Sequence, residues 1–305
     1  MASARFLRYL APNVITLSSM IFGLVSLYAS ADNHYSLAAW MIIYAVLTDR
    51  LDGLVARAVK GTSELGMQLD SFADFLNFGV APAYLVLKFL NAYPGLPFAT
   101  GWHHTALWII CGGYMLCAVF RLARYNILTD DQVATKMFFG FPTTLSGGLI
   151  AIWMLLLMKY DPRIGELANF GGAKLFGDSL ATPLWVWKYF PIFVGVMGYL
   201  MASRLPMPKV GMTKNKIVFV GLMILVVSGY ICGFAMYYPE ICFGMPTGWS
   251  IIFLVWGQAS PRARAMYPPP LFPKKEPVKP LIRHQADIED IVLDEAPAEA
   301  PSDEK

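Results

Sequence analysis

The chain has 305 residues, of which 56% are hydrophobic and only 15% charged, with a mean hydropathy of +0.50. A soluble domain carries about 25% charged residues, so the composition points to a membrane protein rather than a soluble globular one. The net charge of +3 is too small to imply a nucleic-acid partner, and Cys111, Cys117, Cys232 and Cys242 show no C-x-x-C spacing for zinc or redox chemistry.

At the N-terminus, Arg5 and Arg8 precede an apolar run that no small-residue cleavage site closes, so the run reads as a retained first span. A membrane-spanning helix needs about 20 mostly apolar residues. Runs of that kind lie at about 13–31, 35–59, 70–91, 105–128, 139–159, 184–203 and 214–237. An eighth, about 241–257, is short and interrupted by Pro246 and Gly248. None shows the alternation of a transmembrane barrel strand. The expected fold is therefore an all-α polytopic membrane protein with about eight transmembrane helices.

Basic residues orient the spans. With a cytoplasmic N-terminus, the inner segments hold Arg5, Arg8, Arg57, Lys60, Arg121, Arg124, Lys136, Arg204, Lys209, Lys214 and Lys216. The outer loops hold mainly Arg163 and Lys174, with Lys159 and Lys188 at their edges. An even number of spans also places Arg262 and Arg264 inside. Membrane domain and tail divide as 1–257 and 258–305. The tail starts with prolines and lysines and ends acidic; it has too little apolar surface to offset its ordering entropy, so a disordered cytoplasmic tail is expected.

Charges inside apolar helices are costly and usually functional. The second span ends in Asp49-Arg50-Leu51-Asp52-Gly53-Leu54-Val55-Ala56-Arg57, and the third begins near Asp70-Ser71-Phe72-Ala73-Asp74. Asp49 and Asp52 are three apart and Asp70 and Asp74 four apart, so each pair shares a helix face. A short link with Gly61 and Gly66 makes the spans antiparallel neighbours, which lets the four carboxylates converge at the cytoplasmic end. Clustered carboxylates repel unless cations join them. Mg²⁺ favours oxygen ligands and completes its shell with substrate phosphates, and two such ions can activate an attacking oxygen and stabilise a leaving one. Gly53 and Ala56 allow close approach to the backbone, and Arg57 offers forked donors to phosphate.

Written out, the pattern is D-x-x-D-G-x-x-A-R, eight residues, then G-x-x-x-D-x-x-x-D. It resembles the signature of the CDP-alcohol phosphotransferases at every position from Asp49 to Asp74. Its fixed residues, each near 5% frequency, would coincide by chance on the order of 10⁻¹⁰ per starting point. The resemblance implies a six-helix catalytic core within 1–257. It makes Asp49, Asp52 and Asp70 metal ligands and Asp74 the general base, which also touches metal. It implies two divalent ions, Mg²⁺ or Mn²⁺, a CDP site lined by Asp52, Gly53, Ala56, Arg57 and Gly66, and a homodimer.

Other segments resemble one branch, the membrane-type phosphatidylserine synthases. These are Pro12-Asn13-Val14-Ile15-Thr16, the run from Leu69 to Ala83, Arg121-Leu122-Ala123-Arg124-Tyr125-Asn126, Phe139-Gly140-Phe141-Pro142 with its glycine displaced by one place, and Tyr199-Leu200-Met201-Ala202-Ser203-Arg204. That branch implies CDP-diacylglycerol as donor, L-serine as acceptor and membrane lipids as surroundings, at the inner membrane with the site facing the cytoplasm. Asn13 and Thr16 suit either nucleotide or pyrophosphate oxygens or a helix cap. Arg121, Arg124 and Arg204 suit either the serine carboxylate, Arg124 first among them, or the positive-inside rule and pairing with lipid phosphate. Choline, inositol phosphate and glycerol phosphate remain alternative acceptors. A cation transporter is a further class, disfavoured because the acids sit at the membrane edge and no broken-helix pair marks a midplane site.

Overall fold

The computed structural model describes residues 2–59, 64–130, 137–164, 170–208 and 216–259. The chain divides into Met1–Leu271 and Phe272–Lys305, and the tail expected over 258–305 lies almost wholly outside the described residues. The described helices are α1 (Ala2–Ala31), α2 (Tyr35–Val59), α3 (Glu64–Asp74), α4 (Ala81–Ala92), α5 (Gly101–Asp130), α6 (Thr143–Lys159), α7 (Leu184–Ala202), α8 (Lys216–Ala235) and α9 (Pro239–Ala259). A π-helical segment, Phe75–Val80, joins α3 to α4. Two three-residue strands, β1 (Met137–Phe139) and β2 (Pro206–Pro208), pair antiparallel with Phe138 opposite Met207. Apolar periodicity carries no signal for so short a clasp.

Helix occupies each of the eight apolar runs, although the fifth starts only at Thr143, behind Pro142. Pro at this boundary keeps the preceding backbone extended and opens the helix. Among the described residues, four stretches are long and apolar enough to cross a membrane: Asn13–Ala31, Leu65–Ala92, Gly101–Ile127 and Leu184–Ala202. Thr143–Lys159 and Val226–Ala235 are apolar but shorter. The fold is thus an all-helical membrane protein apart from one small clasp.

Two elements carry the core. α6 buries thirteen of its seventeen residues, as expected for a helix apolar all round. It packs on α2, α4, α9 and the π-segment. The continuous rod α3–π–α4 touches α1, α2, α5 and α6. α1 runs parallel to this rod: Asn77 Nδ2 donates to Ser19 Oγ at 3.3 Å, and beyond the α1–α2 turn Tyr35 reaches Lys88 O at 3.4 Å.

The end of the bundle where α1 meets α2 is closed by two polar networks. Lys159 pairs with Glu240 at 2.8 Å, their side chains only 3% and 1% exposed. Its ammonium also donates to Gly171 O and Ala173 O, while Tyr160 donates to Glu240 Oε1 at 2.7 Å. Nearby, the Asp161 carboxylate accepts from Tyr93, from Trp187 Nε1 at 2.7 Å and from Arg163 Nε at 2.8 Å. These bonds tie residues 160–163 and the Gly171–Ala173 stretch down over the helix ends.

Burial pushes the Asp161 carboxyl up, but the donors from Arg163, Tyr93 and Trp187 outweigh it and hold it below the usual carboxylate value. A depressed acid adds stability that is complete above its unfolded value, near 3.9, and is lost as pH falls through the folded one. Asp161→Ala should cost on the order of 2 kcal/mol at pH 7, a figure discounted because the Arg163 side chain is 38% exposed. In thermal melts of the detergent-solubilised chain, the gap between wild type and variant should shrink as pH drops below about 4. A gap that stays constant down to pH 3 would refute this.

Candidate active site

At the opposite end, α2 brings Asp49 and the α3 part of the rod brings Asp70 and Asp74. One carboxylate oxygen from each lies within 4.8 Å of the others. Neighbouring charges at that spacing repel by on the order of 3 kcal/mol per pair at an effective dielectric near 20. Asp74 Oδ1 is buried with no hydrogen-bond partner. Clustered hard oxygens, one of them orphaned, are the donor set that a divalent cation takes. The residues present therefore fit the metal that the sequence pattern implies.

Asp52, Gly53, Ala56 and Arg57 lie on α2, but their side chains fall outside the described residues. Their spacing alone places Asp52 one turn beyond Asp49. Gly66 lies on α3 one turn before Asp70, on the same face. Thr16 is 5% exposed and Asn13 partly buried. Counting back from the Asn77–Ser19 contact along the parallel helices places Thr16 and Asn13 level with Asp74 and Asp70.

The three arginines separate. Arg121 on α5 is 9% exposed and close enough for its charge to act on Asp74. Its Nη1 donates to Thr143 Oγ1 at 2.7 Å, while its buried Nε has no partner. Arg124 is occupied elsewhere: Nη1 donates to Ala202 O at 3.1 Å, and Nη2 to Ser203 O at 2.8 Å and Phe139 O at 3.3 Å. It fastens the end of α7 to the strand clasp. Arg204 is exposed in the turn after α7, beside Arg124. Of the three, Arg121 is the one whose charge lies close enough to act on Asp74.

Two residues at this site went unread in the sequence. Thr143 and Thr144 open α6 directly behind Phe139-Gly140-Phe141-Pro142. Thr143 receives Arg121, and Thr144 Oγ1 lies 3.5 Å from Asp49 Oδ2. Their signal was position, two hydroxyls at a proline-led helix start. Gly140 explains why this segment needs glycine: its φ is +84°, and an added Cβ would lie 2.7 Å from Met201 O. Asn126 Nδ2 donates to Ser71 Oγ at 2.8 Å, tying α5 to α3 beside Asp70.

Fold and site together define a helical membrane protein that gathers carboxylates from two helices at one end of its bundle. A family model, CDP-alcohol phosphatidyltransferase, matches residues 9–175. The chain belongs to the CDP-alcohol phosphatidyltransferase family. It is 32% identical over 201 residues to a CDP-diacylglycerol–serine O-phosphatidyltransferase of Helicobacter pylori, covering 66% of this chain and 72% of that protein. It is 30% identical over 173 residues to the protein of that name from Bacillus subtilis, covering 56% of this chain and 89% of the relative. A third of that name, from Mycobacterium bovis, is 30% identical over 203 residues, covering 65% and 60% of the two chains.

Arg124→Ala should leave three backbone carbonyls without their charged donor and cost on the order of 2–3 kcal/mol. The melting temperature should fall clearly. A variant that melts like wild type would remove Arg124 from this fastening role.

Proposed function

We propose that this chain transfers the phosphatidyl group of CDP-diacylglycerol to L-serine, giving phosphatidylserine and CMP. The observation that carries the reading is the meeting of Asp49, Asp70 and Asp74, from the two halves of the sequence signature, within 4.8 Å. The names of the relatives supply the substrates. Asp49, Asp52, Asp70 and Asp74 would hold two divalent ions, Mg²⁺ or Mn²⁺. Such ions would screen the carboxylates, anchor the pyrophosphate and stabilise the departing CMP.

The protein's own groups complete the chemistry. Asp74 takes the proton of the serine hydroxyl as its oxygen attacks the phosphorus nearer the lipid. The new P–O bond forms in line with the bond to CMP, which breaks. Gly53, Ala56, Arg57, Gly66, Asn13 and Thr16 line the nucleotide. Arg121 meets the serine carboxylate through its unpartnered Nε, and Thr143 holds the guanidinium in place. Arg124 and Arg204 then act at the rim by shaping the turn after α7. Eight spans with a cytoplasmic N-terminus set this site at the inner face of the inner membrane, a reading supported by the charge asymmetry of the loops.

Purified chain given CDP-diacylglycerol and Mn²⁺ should release CMP with serine and not with choline, inositol phosphate or glycerol phosphate. Release only with another alcohol would reassign the acceptor. No release with any acceptor would refute the transferase reading. Separately, Asp74→Asn should lower turnover by about 10²-fold or more while CDP-diacylglycerol binding, followed by calorimetry, changes little. Near-normal turnover in that variant would remove Asp74 from the base role.

A further inference from the structure

We propose that the π-helical segment Phe75–Val80 aims Asp74 into the carboxylate cluster, and that Tyr114, which grips this segment, is a positioning residue for the site. The inference rests on the reading that the cluster holds divalent metal.

The segment has a local cause. In an α-helix the N–H of residue 82 would bond the Phe78 carbonyl. Residue 82 is proline, which has no N–H and whose ring crowds the carbonyl four residues back. The backbone widens instead, and the Ala81 N–H reaches back five residues to Leu76 O. The Phe78 carbonyl, robbed of its usual donor, accepts from the Tyr114 hydroxyl at 2.8 Å. Tyr114 is 1% exposed, and its hydroxyl lies 3.2 Å from Ser146 Oγ on α6.

Three helices shape themselves to this segment. α5 contributes Tyr114. α6 contributes Gly147, where an added Cβ would lie 2.7 Å from Phe78 Cα. α1 contributes Gly23, where one would lie 2.2 Å from Asn77 Oδ1. α6 closes on the Phe78 backbone, α1 on the Asn77 side chain, and α5 bonds the Phe78 carbonyl, so all three are fitted to the widened form that Pro82 imposes.

The consequence falls one turn away, at Asp74. One extra residue in the turn rotates everything before it by about 100° relative to an unbroken helix. Asp70 and Asp74 lie before it; the buried anchor Ala81–Leu90 lies after it. With the anchor fixed in the core, an unbroken helix would swing both carboxylates away from Asp49. The same two helices also hold the far side of the site. Arg121 lies two turns along α5 from Tyr114, and Thr143 one turn before Ser146 on α6. Tyr114–Ser146 and Arg121–Thr143 are therefore two rungs of one α5–α6 ladder, the first bearing on the π-segment and the second on Asp74.

The test is Mn²⁺ binding to the full chain in detergent, followed by electron paramagnetic resonance, for wild type, Tyr114→Phe and Pro82→Ala. CMP release and thermal melting are measured alongside. Pro82→Ala restores the missing N–H and lets the segment relax to α-helix. Both variants should bind Mn²⁺ at least about 10-fold more weakly, with kcat falling more than the KM for CDP-diacylglycerol rises. A merely structural role would lower the melting temperature and leave the Mn²⁺ curve in place. A folded Tyr114→Phe with wild-type Mn²⁺ affinity overturns the proposal. Should that variant not fold, wild-type affinity in Pro82→Ala overturns it equally. Failure of both to fold makes the bond an element of the fold and overturns it as well. If the wild-type chain itself binds no Mn²⁺, the metal reading falls first, an outcome distinct from unchanged affinity in the variants.

Discussion

Mutual repulsion among Asp49, Asp70 and Asp74 is the constraint around which this bundle is arranged. Left to themselves, three carboxylates at the edge of an apolar medium would separate or shed their charge. Here they are held by helices whose positions are fixed far from the charges. α2 packs on buried α6, and the rod that carries Asp70 and Asp74 is gripped by α1, α5 and α6. The cost of proximity falls on packing in the middle of the bundle, where small residues and a π-turn let the backbones approach. Such an arrangement makes chemical sense if a cation relieves the repulsion when substrate arrives.

The two ends of the molecule make opposite use of buried charge. At one end, Lys159, Glu240 and Asp161 are surrounded by donors and acceptors until their carboxylates and ammonium are matched. Such closed networks fix geometry and offer little to a ligand. At the other end, Asp74 Oδ1 and Arg121 Nε stay buried and unmatched. Groups left unsatisfied inside a well-packed bundle mark where strain is tolerated for function. Among the described side chains, the buried charged groups with an unmatched atom, Asp74 and Arg121, both lie at the carboxylate end.

Much of this was legible beforehand, because a membrane simplifies the grammar. Runs of apolar residues announced helices at all eight places, and the aspartate spacing put Asp49, Asp70 and Asp74 together. Other features depended on contacts that local sequence does not encode. Arg121 and Arg124, three residues apart in one motif, both suit the serine carboxylate by sequence, with Arg124 placed first. Only the tertiary fold separates the arginine that faces Asp74 from the one bound to the Phe139, Ala202 and Ser203 carbonyls. Thr143 and Thr144 fell inside an apolar run expected from 139, and it is Pro142 that puts them at a helix start beside Arg121 and Asp49. Pro82 was visible, but its effect on the turn before it needs Tyr114 and Gly147, which come from helices distant in sequence.

The Lys159–Glu240 pair joins residues 81 positions apart. Helix α9 brings the Glu240 carboxylate to a lysine whose ammonium otherwise has only the Gly171 and Ala173 carbonyls to solvate it. Losing one partner of such a buried pair leaves the other charge uncompensated. α6 and α9, far apart along the chain, are therefore held in register by a single pair of charges.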